Sequence, residues 1–203
     1  MSSVAIQGNA SGAGVFTIAS PNSASNFTLT LPTGTGTLTA NGVNSNIVSG
    51  TAVASTSGTS IDFTSIPSWV KRITVMFAGV SISGTSSLRI QIGAGSVETS
   101  GYVGTSSIIA GASAASSITA SAGFDLIAAS PPAALLTTGS VVLLSFGSNE
   151  WIASGWVGYD ATQTQSESIN GRKTTSSTLD RIRITTVLGT DTFDAGSINI
   201  LYE

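Results

Sequence analysis

The chain has 203 residues, of which 41 % are hydrophobic and only 8 % charged, with a formal net charge of −3. That length fits one sizeable domain or a domain with a small module, and high hydrophobicity with little net charge is the reverse of a disordered Ser/Gly-rich chain. Cysteine and histidine are both absent, so no disulfide holds the fold and the commonest general base and metal ligand are missing together. The 7 Lys and Arg residues are spread too thinly for a nucleic-acid patch.

The start, Met1 to Gly8, has no basic region followed by an apolar run and does not read as a secretory signal. Three short apolar-faced strands are expected next: Gly14 to Pro21, Asn26 to Pro32 and Gly36 to Thr39. Such strands cannot form a core alone. Phe16, Ile18, Phe27, Leu29 and Leu31 are therefore predicted to meet other copies or a partner surface, as a stem or a docking module over residues 1–46. Asn41 to Asn46 is turn-rich and marks the boundary.

Residues 47–203 read as a second, larger domain. Thr59 to Phe63 puts Ile61 and Phe63 on one face. The clearest strand runs from Ile66 to Ile82, opened by Pro67, with Trp69, Ile73, Val75 and Phe77 on the apolar face and Arg72, Thr74 and Met76 on the other. Leu88, Ile90 and Ile92 alternate with Arg89 and Gln91, a half-buried strand with a polar outer face. Residues 93–123 are rich in Gly, Ser and Ala and carry little pattern. Ser140 to Phe146 is apolar on both faces, so it is either central or buried against a neighbouring chain. Gly147-Ser148-Asn149 turns it into a hairpin partner, Trp151 to Tyr159. Asp160 to Gly171 is polar and reads as a loop or edge strand. Leu179 to Val187 and Ser197 to Tyr202 close the domain. No helical period occurs, and the most apolar window, Ala133 to Phe146, is interrupted by Thr137 to Ser140, short of the ~20 residues of a membrane helix. The expected fold is all-β: a short N-terminal β-strand stem or docking segment, then an antiparallel, jelly-roll-like β-sandwich.

Two blocks of the chain resemble structural proteins of tailed bacteriophages. Gly8-Asn9-Ala10-Ser11-Gly12, Phe16-Thr17-Ile18, Pro21-Asn22, Thr28-Leu29-Thr30-Leu31-Pro32 and Gly36-Thr37-Leu38 are similar to a segment of tail fibres and fibre shafts. Ile61-Asp62-Phe63, Ile66-Pro67-Ser68-Trp69-Val70-Lys71-Arg72-Ile73, Leu179-Asp180-Arg181-Ile182-Arg183-Ile184 and the ending Asp194-Ala195-Gly196-Ser197-Ile198-Asn199-Ile200-Leu201-Tyr202-Glu203 resemble segments of phage tail fibres and prophage structural proteins. The resemblance implies a homotrimeric virion appendage with a β-sandwich head, made in the bacterial cytoplasm. It would dock on baseplate or tail proteins, or alternatively on the capsid as a decoration protein or head fibre.

For binding, the aromatic residues Trp151, Trp156, Tyr159 and Tyr102 are the candidate platform for a host-surface glycan, with core packing as the competing reading. Trp151 and Trp156 are five apart, so a regular strand sends them to opposite faces. Arg72, Thr74 and Met76 are the candidate subunit interface of the head. Asp191 and Asp194 are too few carboxylates for calcium and read as turn formers. Asp160 and Glu167 show no glycosidase pattern. No catalytic residue, metal or cofactor is expected, and so few charges favour an oligomer.

Overall fold

The computed structural model describes residues 24, 26, 47–110, 117–126, 131–159 and 165–203. The chain divides into two units, Met1–Val43 and Asn44–Glu203, and all the described strands belong to the second. The N-terminal positions Phe16, Ile18, Phe27, Leu29 and Leu31 lie outside the described residues.

In chain order the strands are β1 (Val48–Ser49), β2 (Val53–Ala54), β3 (Ser60–Thr64), β4 (Arg72–Ile82), β5 (Leu88–Ala94), β6 (Ser96–Val97) and β7 (Tyr102–Ala110). They continue as β8 (Ser117–Ala120), β9 (Phe124–Asp125), β10 (Thr137–Gly147), β11 (Glu150–Tyr159), β12 (Gln165–Thr174), β13 (Arg181–Thr186) and β14 (Phe193–Tyr202). All pairings among them are antiparallel. A nine-stranded sheet runs β1-β14-β4-β10-β11-β12-β7-β8, with β2 also on β14. A five-stranded sheet runs β3-β13-β5-β6, with β9 on β5. Ile73, Val75, Val141, Leu143, Ile198 and Ile200 from the first sheet share one buried cluster with Ile61, Ile90, Ile92, Ile182 and Ile184 from the second. The fold is an all-β, sandwich-like arrangement, as the strand alternation predicts.

Four local expectations need correction. The strand predicted from Ile66 begins only at Arg72. Pro67 to Val70 turns instead, closed by Val70 N–H donating to the Pro67 carbonyl at 3.1 Å. Val70 is buried where Trp69 was expected; Trp69 is 42 % exposed and tilts against Tyr202 with ring centroids 5.9 Å apart. The alternation within β4 also slips by one residue. Gly79, at φ 61, forms a bulge against Gly196, at φ 88, so Val80 and Ile82 stay inside after Phe77. The outer face of β5 is covered rather than solvated. Gln91 is buried with Nε2 donating to the Ala122 carbonyl at 2.9 Å, and Arg89 makes a two-pronged contact with Asp125 at 2.5 and 3.1 Å. Finally, the polar stretch read as a loop or edge is largely β12, an interior strand between β11 and β7. Its Ser166, Ser168 and Asn170 face outward, while Glu167 and Ile169 face in.

Candidate functional site

The solvent side of the nine-stranded sheet carries four of the sequence-selected residues, Arg72, Thr74, Met76 and Trp156. Register sets three rows across it. The first is Arg72–Leu144–Ile152–Arg172–Val103. The second is Thr74–Val142–Ser154–Asn170–Thr105–Thr119. The third is Asn199–Met76–Ser140–Trp156–Ser168–Ser107–Ser117. Arg72, Thr74 and Met76 thus share a face with Trp156, and Met76 stands two strands, about 10 Å, from it.

The four candidate rings separate. Trp151 points into the core and is buried, and Trp156 points out and is 55 % exposed, as their five-residue spacing on β11 requires. Tyr102 is also buried. Its hydroxyl accepts from Ile92 N–H at 2.8 Å and lies 3.0 and 2.9 Å from the carbonyls of Ile92 and Glu98. Its ring meets Phe124 edge-on at 5.0 Å. Tyr159 is half-buried and donates to Glu167 Oε1 at 2.7 Å. Burial, then the Glu167 carboxylate, pushes its phenol up. Tyr102 and Trp151 therefore cannot offer a ring face to a ligand from these positions, and Trp156 is the member of the set that does.

Three carboxylates mentioned for other chemistry have structural partners. Asp191 Oδ2 accepts from Ser86 N–H at 2.9 Å and Asp194 Oδ1 accepts from the Ser81 hydroxyl. Glu167 takes the Tyr159 bond, and Asp160 lies outside the described residues. Among the described residues no group of three acidic side chains is placed to hold a metal.

Sequence reasoning missed a concavity beside the first and second rows. Val103, Thr105, Thr119, Ile152, Ser154 and Asn170 line an open trough of about 700 Å³ across β11, β12, β7 and β8. Its origin is on the opposite side of the sheet. Gly104 and Gly171 face each other in register, and a Cβ on Gly171 would lie 2.9 Å from ring carbons of Phe124. With no side chain there, β12 settles onto the Phe124 ring, and the outer surface is concave over the same strands. The available signal was the glycine pair, invisible until β7 and β12 are known to be neighbours.

Beside the trough the surface is apolar. Val103 is 60 % exposed, Leu144 42 %, and Phe146, at the tip of the β10–β11 hairpin, 72 %. The two guanidinium groups on the face are each paired within the chain, Arg72 to Glu203 and Arg172 to Glu150, both at 2.9 Å. Comparisons with protein-family models, with curated proteins and with solved structures find no match for this chain.

Proposed function

We propose that the chain is a structural virion protein of a tailed phage: a short homotrimeric tail fibre that attaches through residues 1–46 and binds the host surface through the β-sandwich. The observation that carries this reading is the third row. There one exposed indole, Trp156, is flanked across the sheet by Ser140 and Ser168, with Ser107 and Ser117 beyond. A flat ring beside a line of hydroxyls suits a pyranose, whose apolar face stacks while its hydroxyls exchange hydrogen bonds with the serines. The phage-like sequence blocks and the all-β fold support the same reading. Binding at each head is weak, and three heads on one axis supply avidity.

Purified protein is expected to compete with phage particles for host cells, and Trp156→Ala to weaken that competition about tenfold, equivalent to ~1.4 kcal/mol. Thermal unfolding of the variant stays within a degree or two of the parent, because the ring is more than half exposed. Undiminished competition by the variant removes Trp156 from the binding surface. A map of the intact particle that places the chain on the capsid removes the tail assignment.

A further inference from the structure

Where the inward rows of β4, β10 and β11 run out, three segments close around a small pocket of about 160 Å³. They are the Pro67 to Val70 turn before β4, the tip of the β10–β11 hairpin and the segment joining β12 to β13. We propose that this pocket binds a single sugar unit carrying one carboxylate, a hexuronate, with Lys71 as its counter-ion. The site is separate from the Trp156 row and does not depend on it.

The sequence builds the pocket by ending the core early. The inward row Ile73–Leu143–Ala153 is dry. The next inward row is Lys71–Ser145–Trp151, tied by Ser145 N–H donating to the Lys71 carbonyl at 2.8 Å. Val70, Trp151 and Leu179 belong to the buried core and give the pocket an apolar floor. Ser68, Lys71, Ser148, Asn149 and Thr178 are exposed and give it a polar rim. An apolar floor with convergent polar groups suits a sugar ring, whose C–H face is apolar and whose edge carries hydroxyls. The volume lies well below the roughly 300 Å³ at which pockets for larger ligands begin, so it takes one ring and not a chain.

Charge selects the ligand. Six of the 7 Lys and Arg side chains are held by a carboxylate of their own chain, and Lys71 is the exception among the described residues. No Asp or Glu lines the pocket, and Glu150 and Glu203 are committed to Arg172 and Arg72. One free cation matches one negative charge; a phosphate monoester, at about −1.5 to −2, would be left partly unneutralised. The backbone around the pocket is fixed in advance. Lys71 N–H donates to the Glu203 carbonyl at 2.7 Å, and Val70 N–H to the Pro67 carbonyl at 3.1 Å. Thr175 N–H donates to the Asn149 carbonyl at 3.0 Å while its hydroxyl lies 2.6 Å from the Ser177 carbonyl, which ties the hairpin tip to the β12–β13 segment. A rigid frame lowers the ordering cost of binding, and the flexible Lys71 stem brings the charge to the ligand.

The test is a titration of the full chain, isotope-labelled and followed by amide NMR at low salt, with glucuronate and with glucose, acetate and inorganic phosphate as controls. Glucuronate is expected to shift the amides of Lys71, Ser148, Asn149 and Thr178 and to bind more tightly than any control. Lys71→Gln is expected to weaken glucuronate about tenfold or more, the loss of a hydrogen bond to a charged group, and to leave glucose unchanged. Thr178→Val is expected to weaken it about threefold, the loss of a neutral one. Both side chains are exposed, so circular dichroism should match the parent. Trp156→Ala should leave these shifts in place; their loss in that variant assigns glucuronate to the Trp156 row and overturns this site. Glucose binding as tightly as glucuronate removes the counter-ion, acetate binding as tightly removes the sugar, and phosphate binding more tightly removes the carboxylate. Absence of shifts at these amides overturns the site and leaves the Trp156 reading untouched.

Discussion

Lys173 shows how much a single buried cation organises here. Its ammonium lies 2.5 Å from Glu98 Oε2 and 5.5 Å from the centre of the Tyr102 ring, joining β12 to the segment after β6. Burial works to raise the Glu98 carboxyl, but hydrogen bonds from Lys173 and from the Ser176 backbone and hydroxyl prevail and hold it below the usual range. A carboxylate depressed in the folded state contributes stability that is complete above its unfolded value and is lost as pH falls through the folded one. Stability is therefore expected to drop on acidification below the ordinary glutamate range, and Glu98→Gln to flatten that drop in urea titrations run at stepped pH. A Glu98→Gln variant with the same acid slope as the parent places the sensitivity elsewhere. Tyr102 illustrates the opposite lesson about legibility. As an isolated aromatic in a featureless Gly/Ser stretch it reads equally well as a ligand platform or a core residue. Only the pairing of β7 with β12, and the Ile92 backbone it bonds, decides for the core.

Among the strands, legibility followed the contrast between faces. β13, the first half of β4 and the end of β14 alternate strongly because one side must be dry, and their inward residues are readable from period alone. β12 alternates Ser and Asn with Glu167 and Ile169, so the period survives while hydrophobicity, the quantity usually read, is nearly absent. The bulge was hidden for a different reason. Gly79 interrupts no apolar run that would draw notice, yet it shifts every later residue of β4 by one. Its partner Gly196 sits at φ 88, and a Cβ there would overlap the Gly79 carbonyl. Gly196→Ala is expected to cost about 2–4 kcal/mol, combining left-handed backbone strain with overpacking, and a calorimetric melt would show it as a fall in Tm of several degrees. A loss below ~1 kcal/mol would mean that the bulge relaxes freely. The candidate site was half readable: Trp156 follows from a spacing within one strand, whereas the trough depends on glycines 67 residues apart in sequence, Gly104 and Gly171.

For the whole molecule, scarcity of charge bears on the proposed association of copies. The outer face of the large sheet carries internally paired Arg72 and Arg172 among Leu144, Phe146, Ile152 and Val103. Contacts made there are governed by apolar burial, which salt does not screen. If the copies of the proposed trimer meet on this face, its mass is expected to hold between about 0.05 and 1 M salt, measured by light scattering across that range. Dissociation at the high end would show that charges outside this face hold the copies together.

The strand order also fixes a timetable. β4 occupies residues 72–82, yet its two neighbours in the sheet are residues 137–147 and 193–202. During synthesis this apolar strand waits with both edges unpaired until β10 emerges about 55 residues later, and its second edge stays open until β14, more than a hundred residues on. The small sheet has the same delay, since β3 at residues 60–64 pairs with β13 at residues 181–186. Closing such loops costs entropy before any contact rewards it, which places this topology among slow folders. The hairpin of β10 and β11 is the local piece that can form early, and β4 has its first template once that hairpin exists. Chains interrupted before β14 would carry an open apolar edge and are the species most exposed to aggregation.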